Sequence, residues 1–112
     1  MATAVARILT ELRNKGGLQS KDIANIVDVS PATVSRWSND AATPSLQTQT
    51  VIADLRYVVD RLSDFYTSDE ARLWLNARHP LLGDERAIDL IRARRTVEVL
   101  AVIERLSAGV YL

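Results

Sequence analysis

An all-α fold is predicted by three features of this 112-residue sequence. Apolar residues recur at three- and four-residue spacing, Ser, Thr, Gly and Pro punctuate the places where those runs begin and end, and no segment alternates apolar with polar residues as a half-buried strand does. Val5, Ile8, Leu9 and Leu12 give a first helix over residues 4–14 one buried stripe, and Asn14-Lys15-Gly16-Gly17 ends it. Ser20 is expected to cap a short second helix, Lys21 to Val27, with Ile23, Ala24 and Val27 inward. Ser30-Pro31 starts a third, running to about Ser38 with Val34 and Trp37 on its inner side. A Ser cap satisfies an orphan amide there, and Pro in the first turn has none to satisfy. Residues 39–44 read as a loop.

A longer helix follows from Ser45, with Leu46, Val51, Ile52, Leu55, Val58, Val59, Leu62 and Phe65 periodic over about six turns. Thr67-Ser68 supplies a fresh cap ahead of Asp69 and Glu70, and Leu73, Trp74 and Leu75 form the apolar side of the next helix. His79-Pro80 stops it. After Leu81-Leu82-Gly83, Asp84 or Glu85 is expected to open a short helix through Ile88, Leu90 and Ile91. A last helix carries Val97, Leu100, Ile103 and Leu106, with Gly109 as its C-terminal cap and Val110, Tyr111 and Leu112 as an apolar end. The expected organisation is an N-terminal unit over 1–44, a connecting helix over 45–66 and a small helical unit over 67–112.

Fourteen Lys and Arg balance fourteen Asp and Glu, and the balance is local as well: five positive and four negative residues up to position 50, nine and ten after it. Zero net charge argues against a general nucleic-acid coat, whose affinity rests on many phosphate contacts, but leaves room for a small specific reader. With no Cys, disulfides, thiolate metal sites and Cys nucleophiles are excluded, and a reducing cytoplasm is the expected location. No leader or membrane-spanning run is read in the sequence. A chain this short sits near the low end of independent stability, so a dimer or a permanent partner is expected, and a homodimer in particular because the long helix has more apolar positions than a monomer needs to bury.

Between Ser20 and Asn39, two short helices and a tight turn must cross steeply, which calls for a small residue at the crossing and apolar residues at fixed offsets. Ala24 is the small residue; Ile23, Val27, Val29, Val34 and Trp37 are the inward set; Asp28 holds the turn, where a residue tolerant of the left-handed conformation is needed. The outer side of the third helix then shows Ser30, Thr33, Ser35, Arg36 and Asn39, short donors and acceptors plus one guanidinium suited to base edges and phosphates of operator DNA. The bland alternative is an ordinary polar helix face. The run Ser30-Pro-Ala-Thr-Val-Ser-Arg-Trp37 resembles the recognition helix of the phage-repressor-like (Xre) helix-turn-helix family.

The second half carries Ala71-Arg-Leu-Trp74-Leu75, His79-Pro80-Leu81-Leu82-Gly83, Ala87-Ile88-Asp89-Leu90-Ile91, and Val97 through Gly109-Val110. In that order and spacing they resemble the toxin-binding domain of antitoxins called Xre, MbcA or ParS, which follows an Xre-like helix-turn-helix. His79 stands where that family usually has Asn, and Ala87 where Pro often opens the next helix. The resemblance implies a partner toxin with a RES domain that consumes or transfers from NAD, an active-site entrance blocked by the antitoxin's C-terminal region, and repression of the antitoxin's own operon. Gly109, Val110, Tyr111 and Leu112 then suggest an apolar, aromatic plug, although the same residues could instead fold back on their own core. Arg92, Arg94 and Arg95 form the densest positive cluster, a second candidate toxin contact, with Asp89 and Glu98 as possible pairing partners.

An enzyme is not expected. His79 is the sole His and precedes Pro80, where a structural role suffices; Asp69-Glu70 and Asp84-Glu85 both fall where helices are expected to begin; no phosphate-cradling loop or nucleophile elbow is present. Neither cofactor, metal nor small-molecule substrate is expected. The alternative reading is a plain transcriptional repressor whose C-terminal half only dimerises, and a third is an antitoxin whose helix-turn-helix no longer binds DNA.

Overall fold

The computed structural model describes residues 3–109, and local capping signals explain where most of its helices begin. Thr3 accepts the Ala6 N–H at 3.2 Å and opens α1, Ala4–Gly16. Ser30 accepts from Thr33 at the head of α3, Pro31–Ser38, and Ser45 accepts from Thr48 at the head of α4, Leu46–Leu62. Thr67 and Glu70 exchange backbone amides in a reciprocal box that starts α5, Ser68–Asn76. The cap of α2, Ser20–Val27, falls one residue before the expected Ser20: the Asp22 carboxylate accepts the Gln19 N–H at 2.8 Å. The chain closes with α6, Ala87–Arg92, and α7, Thr96–Ser107.

One apolar cluster runs through these elements, with α4 as its axis. Leu12 from α1, Leu18, Ile23, Val34 and Trp37 meet Ile52, Leu55, Val58, Val59 and Leu62 of α4, and the same helix meets Leu75, Leu90, Ile91 and Ile103 on the C-terminal side. Glycine permits a close approach in this core. α1 runs past Asn14 to Gly16, where an added Cβ would lie 2.9 Å from Val59 Cγ2.

Several inward expectations are shifted. Ile26 is buried where Val27 is half-buried. Phe65 is 41 % exposed because α4 ends at Leu62 and the following turn sends Tyr66 toward the core instead, its N–H returning to the Leu62 carbonyl. Leu46 and Leu73 face outward, the former because it is the first residue of its helix and the latter because Ala71, Trp74 and Leu75 fill the inner side. Val97 is 79 % exposed. The phase of α7 is set by Thr96, a buried hydroxyl that donates to Asp54 of α4 at 3.0 Å and turns Val99, Val102 and Ile103 inward.

A two-stranded antiparallel ladder, absent from the sequence expectation, interrupts the helices. β1, Arg78–His79, pairs with β2, Glu85–Arg86, in the register Arg78↔Arg86 and His79↔Glu85. Pro80 favours the extended conformation of His79 before it, and a 3₁₀ turn, Pro80–Leu82, is followed by Gly83 and Asp84 with φ of 65° and 64°. Asp84 and Glu85 therefore belong to the hairpin, and α6 starts at Ala87 rather than at either of them.

Candidate nucleic-acid and partner interfaces

The turn between α2 and α3 is built on Asp28, whose φ of 61° lets Val29 N–H reach the Ala24 carbonyl at 3.0 Å. Ala24 is 1 % exposed, a small residue buried at the crossing. With Val34 and Trp37 buried, α3 presents Ser35, Arg36 and Asn39 to solvent. None of the three makes a side-chain hydrogen bond or ion pair among the described residues. Ser30 and Thr33 are partly committed to structure: their hydroxyls lie 2.9 Å apart while Ser30 also caps the helix. Free lone pairs remain on both, but Arg36 is the only cation that α3 itself contributes.

The loop after α3 is fixed from α1. Asp40, with φ of 59°, accepts the Thr3 N–H at 3.2 Å, and these hydrogen bonds from Thr3 hold its carboxyl below the usual carboxylate range. The α3 side of the molecule thus carries exposed carboxylates at Asp28 and Asp40 beside Arg36. The α3 side thus has no strong positive field of the kind that draws phosphates from a distance.

In the C-terminal half, the three clustered arginines have different surroundings. Arg95 forks onto Glu98 at 2.6 and 2.8 Å and reaches Glu85 at 3.4 Å, joining the start of α7 to the hairpin. That hydrogen-bonded pair holds the Glu98 carboxyl low and raises the Arg95 guanidinium. Asp89 pairs with Arg86 at 2.9 and 3.1 Å rather than with the cluster, and its carboxyl is lowered mainly by those bonds. Arg92 and Arg94 are exposed with no ion pair among the described residues, and Arg94 takes a φ of 66° that projects it from the turn before α7. Gly109 also has positive φ, 76°, with its N–H on the Leu106 carbonyl. Val110, Tyr111 and Leu112 lie outside the described residues.

His79 has a structural place: its Nε2 lies 2.8 Å from the Trp74 carbonyl and its ring centroid 4.4 Å from that of Trp74. Glu70 serves the α5 cap. No group of three or more His, Cys, Asp or Glu able to hold a metal is present among the described residues, and no helix among them is long and apolar enough to cross a membrane.

Two features had no sequence signal. A groove of about 410 Å³ runs between α2 and α6, its lining including Leu18, Asn25, Ile26, Asp28, Ile88 and Arg92. Beside it, Arg72 of α5 reaches Asp22 of α2 at 3.0 Å. Both bring together residues about fifty or more positions apart, beyond the reach of periodicity or capping patterns.

A helix-turn-helix family model matches residues 9–54, which contain α2, the turn and α3. The mycobacterial cidal antitoxin MbcA of Mycobacterium tuberculosis and that of Mycobacterium bovis are each 31 % identical to this chain over 96 residues, spanning 86 % of it and 85 % of the relative. A probable mycobacterial cidal antitoxin of M. tuberculosis is 30 % identical over 96 residues, covering 86 % and 82 % of the two chains. The crystal structure of the M. tuberculosis MbcT–MbcA toxin–antitoxin complex contains a chain that superposes with a TM-score of 0.86 at 28 % identity, covering 99 % of this chain and 100 % of that one.

Proposed function

The chain belongs to the MbcA family of antitoxins, and on that premise we propose that it neutralises a cognate protein toxin by direct binding and represses its own operon through the helix-turn-helix. The observation that carries the reading is the end-to-end superposition on a chain of a toxin–antitoxin complex, since it includes the C-terminal half as well as the helix-turn-helix. The toxin is of the RES-domain, NAD-consuming class implied by the motifs from Ala71 to Gly109. Inhibition is by occlusion, not chemistry: the C-terminal region, with Gly109, Val110, Tyr111 and Leu112, enters the toxin's active-site entrance, and Arg92 and Arg94, exposed ahead of the first turn of α7, supply unpaired positive charge as a second toxin contact. Arg95 supports that surface from its Glu98 and Glu85 ties.

On the DNA side, Ser35, Arg36 and Asn39 read the operator while Ser30 and Thr33 hold the helix end and offer their remaining lone pairs. In this division residues 1–44 read DNA, 45–66 connect and 67–112 bind toxin. The protein acts in the cytoplasm as a homodimer. An exposed stripe on α4, Leu46, Ala53 and Tyr57 at i, i+7 and i+11, supports the dimer by offering apolar surface that one copy leaves open.

Co-expression with the neighbouring open reading frame tests the whole reading, following growth and intracellular NAD. Toxicity with NAD loss, suppressed by the full chain and not by a chain lacking Val110 to Leu112, is the expected result. A harmless neighbour that neither co-purifies nor alters NAD would favour the plain repressor. Arg36→Ala separates the two activities: operator binding weakens by about 1 to 3 kcal/mol if the side chain reads a base, while neutralisation is retained.

A further inference from the structure

The helix-turn-helix match ends at residue 54, yet the first turn of α2 is held from outside it. Arg72, on α5, donates from its Nη2 to Asp22 Oδ1 at 3.0 Å, and the other oxygen of the same carboxylate accepts the Gln19 N–H at 2.8 Å. Asp22 therefore has both oxygens engaged, one by the helix it starts and one by a helix fifty residues further on. Its side chain is 16 % exposed, the least exposed member of any ion pair among the described residues. An ordinary surface pair would contribute little, because both partners would remain solvated and free to rotate. Here the Arg72 side chain is 42 % exposed, but its stem is confined by the backbone beside it. Gly17, at φ of 63°, runs so close to α5 that an added Cβ would meet Ser68 O at 2.9 Å and Arg72 Cβ at 3.3 Å, so the segment leading into α2 is pressed against the stem of Arg72 itself.

We propose that Arg72 is a positioning residue for operator recognition: by clamping Asp22 it fixes the entry of α2 against α5, and α2 in turn carries the turn and α3. The inference rests on the proposed operator binding. DNA reading is then not a self-contained property of the N-terminal unit but depends on a side chain from the C-terminal half. Arg72 acts through Asp22 and contacts no base or phosphate.

The test uses the full chain and a DNA duplex taken from upstream of its own reading frame, with affinity measured across a salt series. Arg72→Ala is expected to weaken binding roughly three- to tenfold with the slope of log affinity against log salt unchanged, because no phosphate contact is lost. Asp22→Asn is expected to weaken it similarly, and the double variant no further than either single. Hydrogen exchange of the α2 amides quickens in Arg72→Ala while that of α7 does not. Undiminished affinity, unchanged α2 exchange or fully additive losses in the double variant would overturn the clamp. A salt slope smaller by about one would make Arg72 a phosphate ligand instead. A wild-type chain that does not bind the duplex would sink the operator reading itself, a result distinct from a wild type that binds and an Arg72→Ala that binds equally well.

Discussion

Gly17→Ala should destabilise the protein far more than Gly83→Ala, although both glycines sit in the same backbone conformation. Their φ values are 63° and 65°, so an Ala at either position incurs the left-handed penalty of roughly 1–2 kcal/mol, offset by about 0.4–1 kcal/mol from the stiffer unfolded chain. The surroundings differ. At Gly83 an added Cβ meets nothing within 4 Å, whereas at Gly17 it lies 2.9 Å from the Ser68 carbonyl oxygen and 3.3 Å from Arg72 Cβ. A backbone carbonyl cannot rotate aside, so the contact is relieved only by moving α5 from α1, an overpacking of about 1–3 kcal/mol. Gly83→Ala is thus expected to lose on the order of 1 kcal/mol and Gly17→Ala about 2–4 kcal/mol. Urea unfolding followed by circular dichroism reads both, with the slope m required to stay constant so that midpoint shifts report stability. Equal losses for the two variants would refute the reasoning, because they would mean that α5 yields freely and that the approach of the α1–α2 link to Ser68 is not a packed contact.

Asp28→Gly should stabilise by up to about 1 kcal/mol, since it relieves a left-handed Asp and removes a carboxylate from the C-terminal end of α2; a lower thermal midpoint would contradict this. Ser30→Ala should lose roughly 1 kcal/mol by leaving the Thr33 amide without its cap, an effect visible in the same melts and refuted by an unchanged midpoint. Asp89 makes stability depend on acid: its carboxyl is lowered by Arg86, so the contribution is fully present above the ordinary carboxylate value of about 3.9 and is lost as pH falls through the lower folded value. The gap in urea midpoint between wild type and Asp89→Asn should accordingly be constant near neutrality and close below about pH 4, more weakly at high salt because the pair is half exposed. A gap that widens on acidification would show the opposite sign.

Much of the molecule was legible from short-range chemistry. Ser30-Pro31, Ser45 and Thr67 with Glu70 mark three helix starts because a cap and the amide it satisfies lie within three residues of one another. Val34 and Trp37 mark the inner side of α3 because helical period alone places them together, and the outward set containing Ser35 and Arg36 follows by subtraction. The left-handed turn at Asp28 was readable for the same reason, as a property of one residue and its immediate neighbours.

Other features were decided only when distant segments met. Periodicity alone would turn Val97 inward, but Thr96 finds Asp54 forty-two residues away and rotates α7 past it. The short ladder at Arg78 and Arg86 has too few residues for alternation to be seen, and it displaces the start of α6 from Asp84. Three arginines that look alike in sequence separate in space because Glu98 and Glu85 engage Arg95 and leave Arg92 and Arg94 open. The sequence by itself determined most of the helical stretches and what α3 shows to solvent, since those preferences act within a turn or two. Helix phase, the pairing of charges and the hold of Arg72 on α2 depend on which surfaces the shared core brings within about 3 Å, and only the tertiary structure decides that.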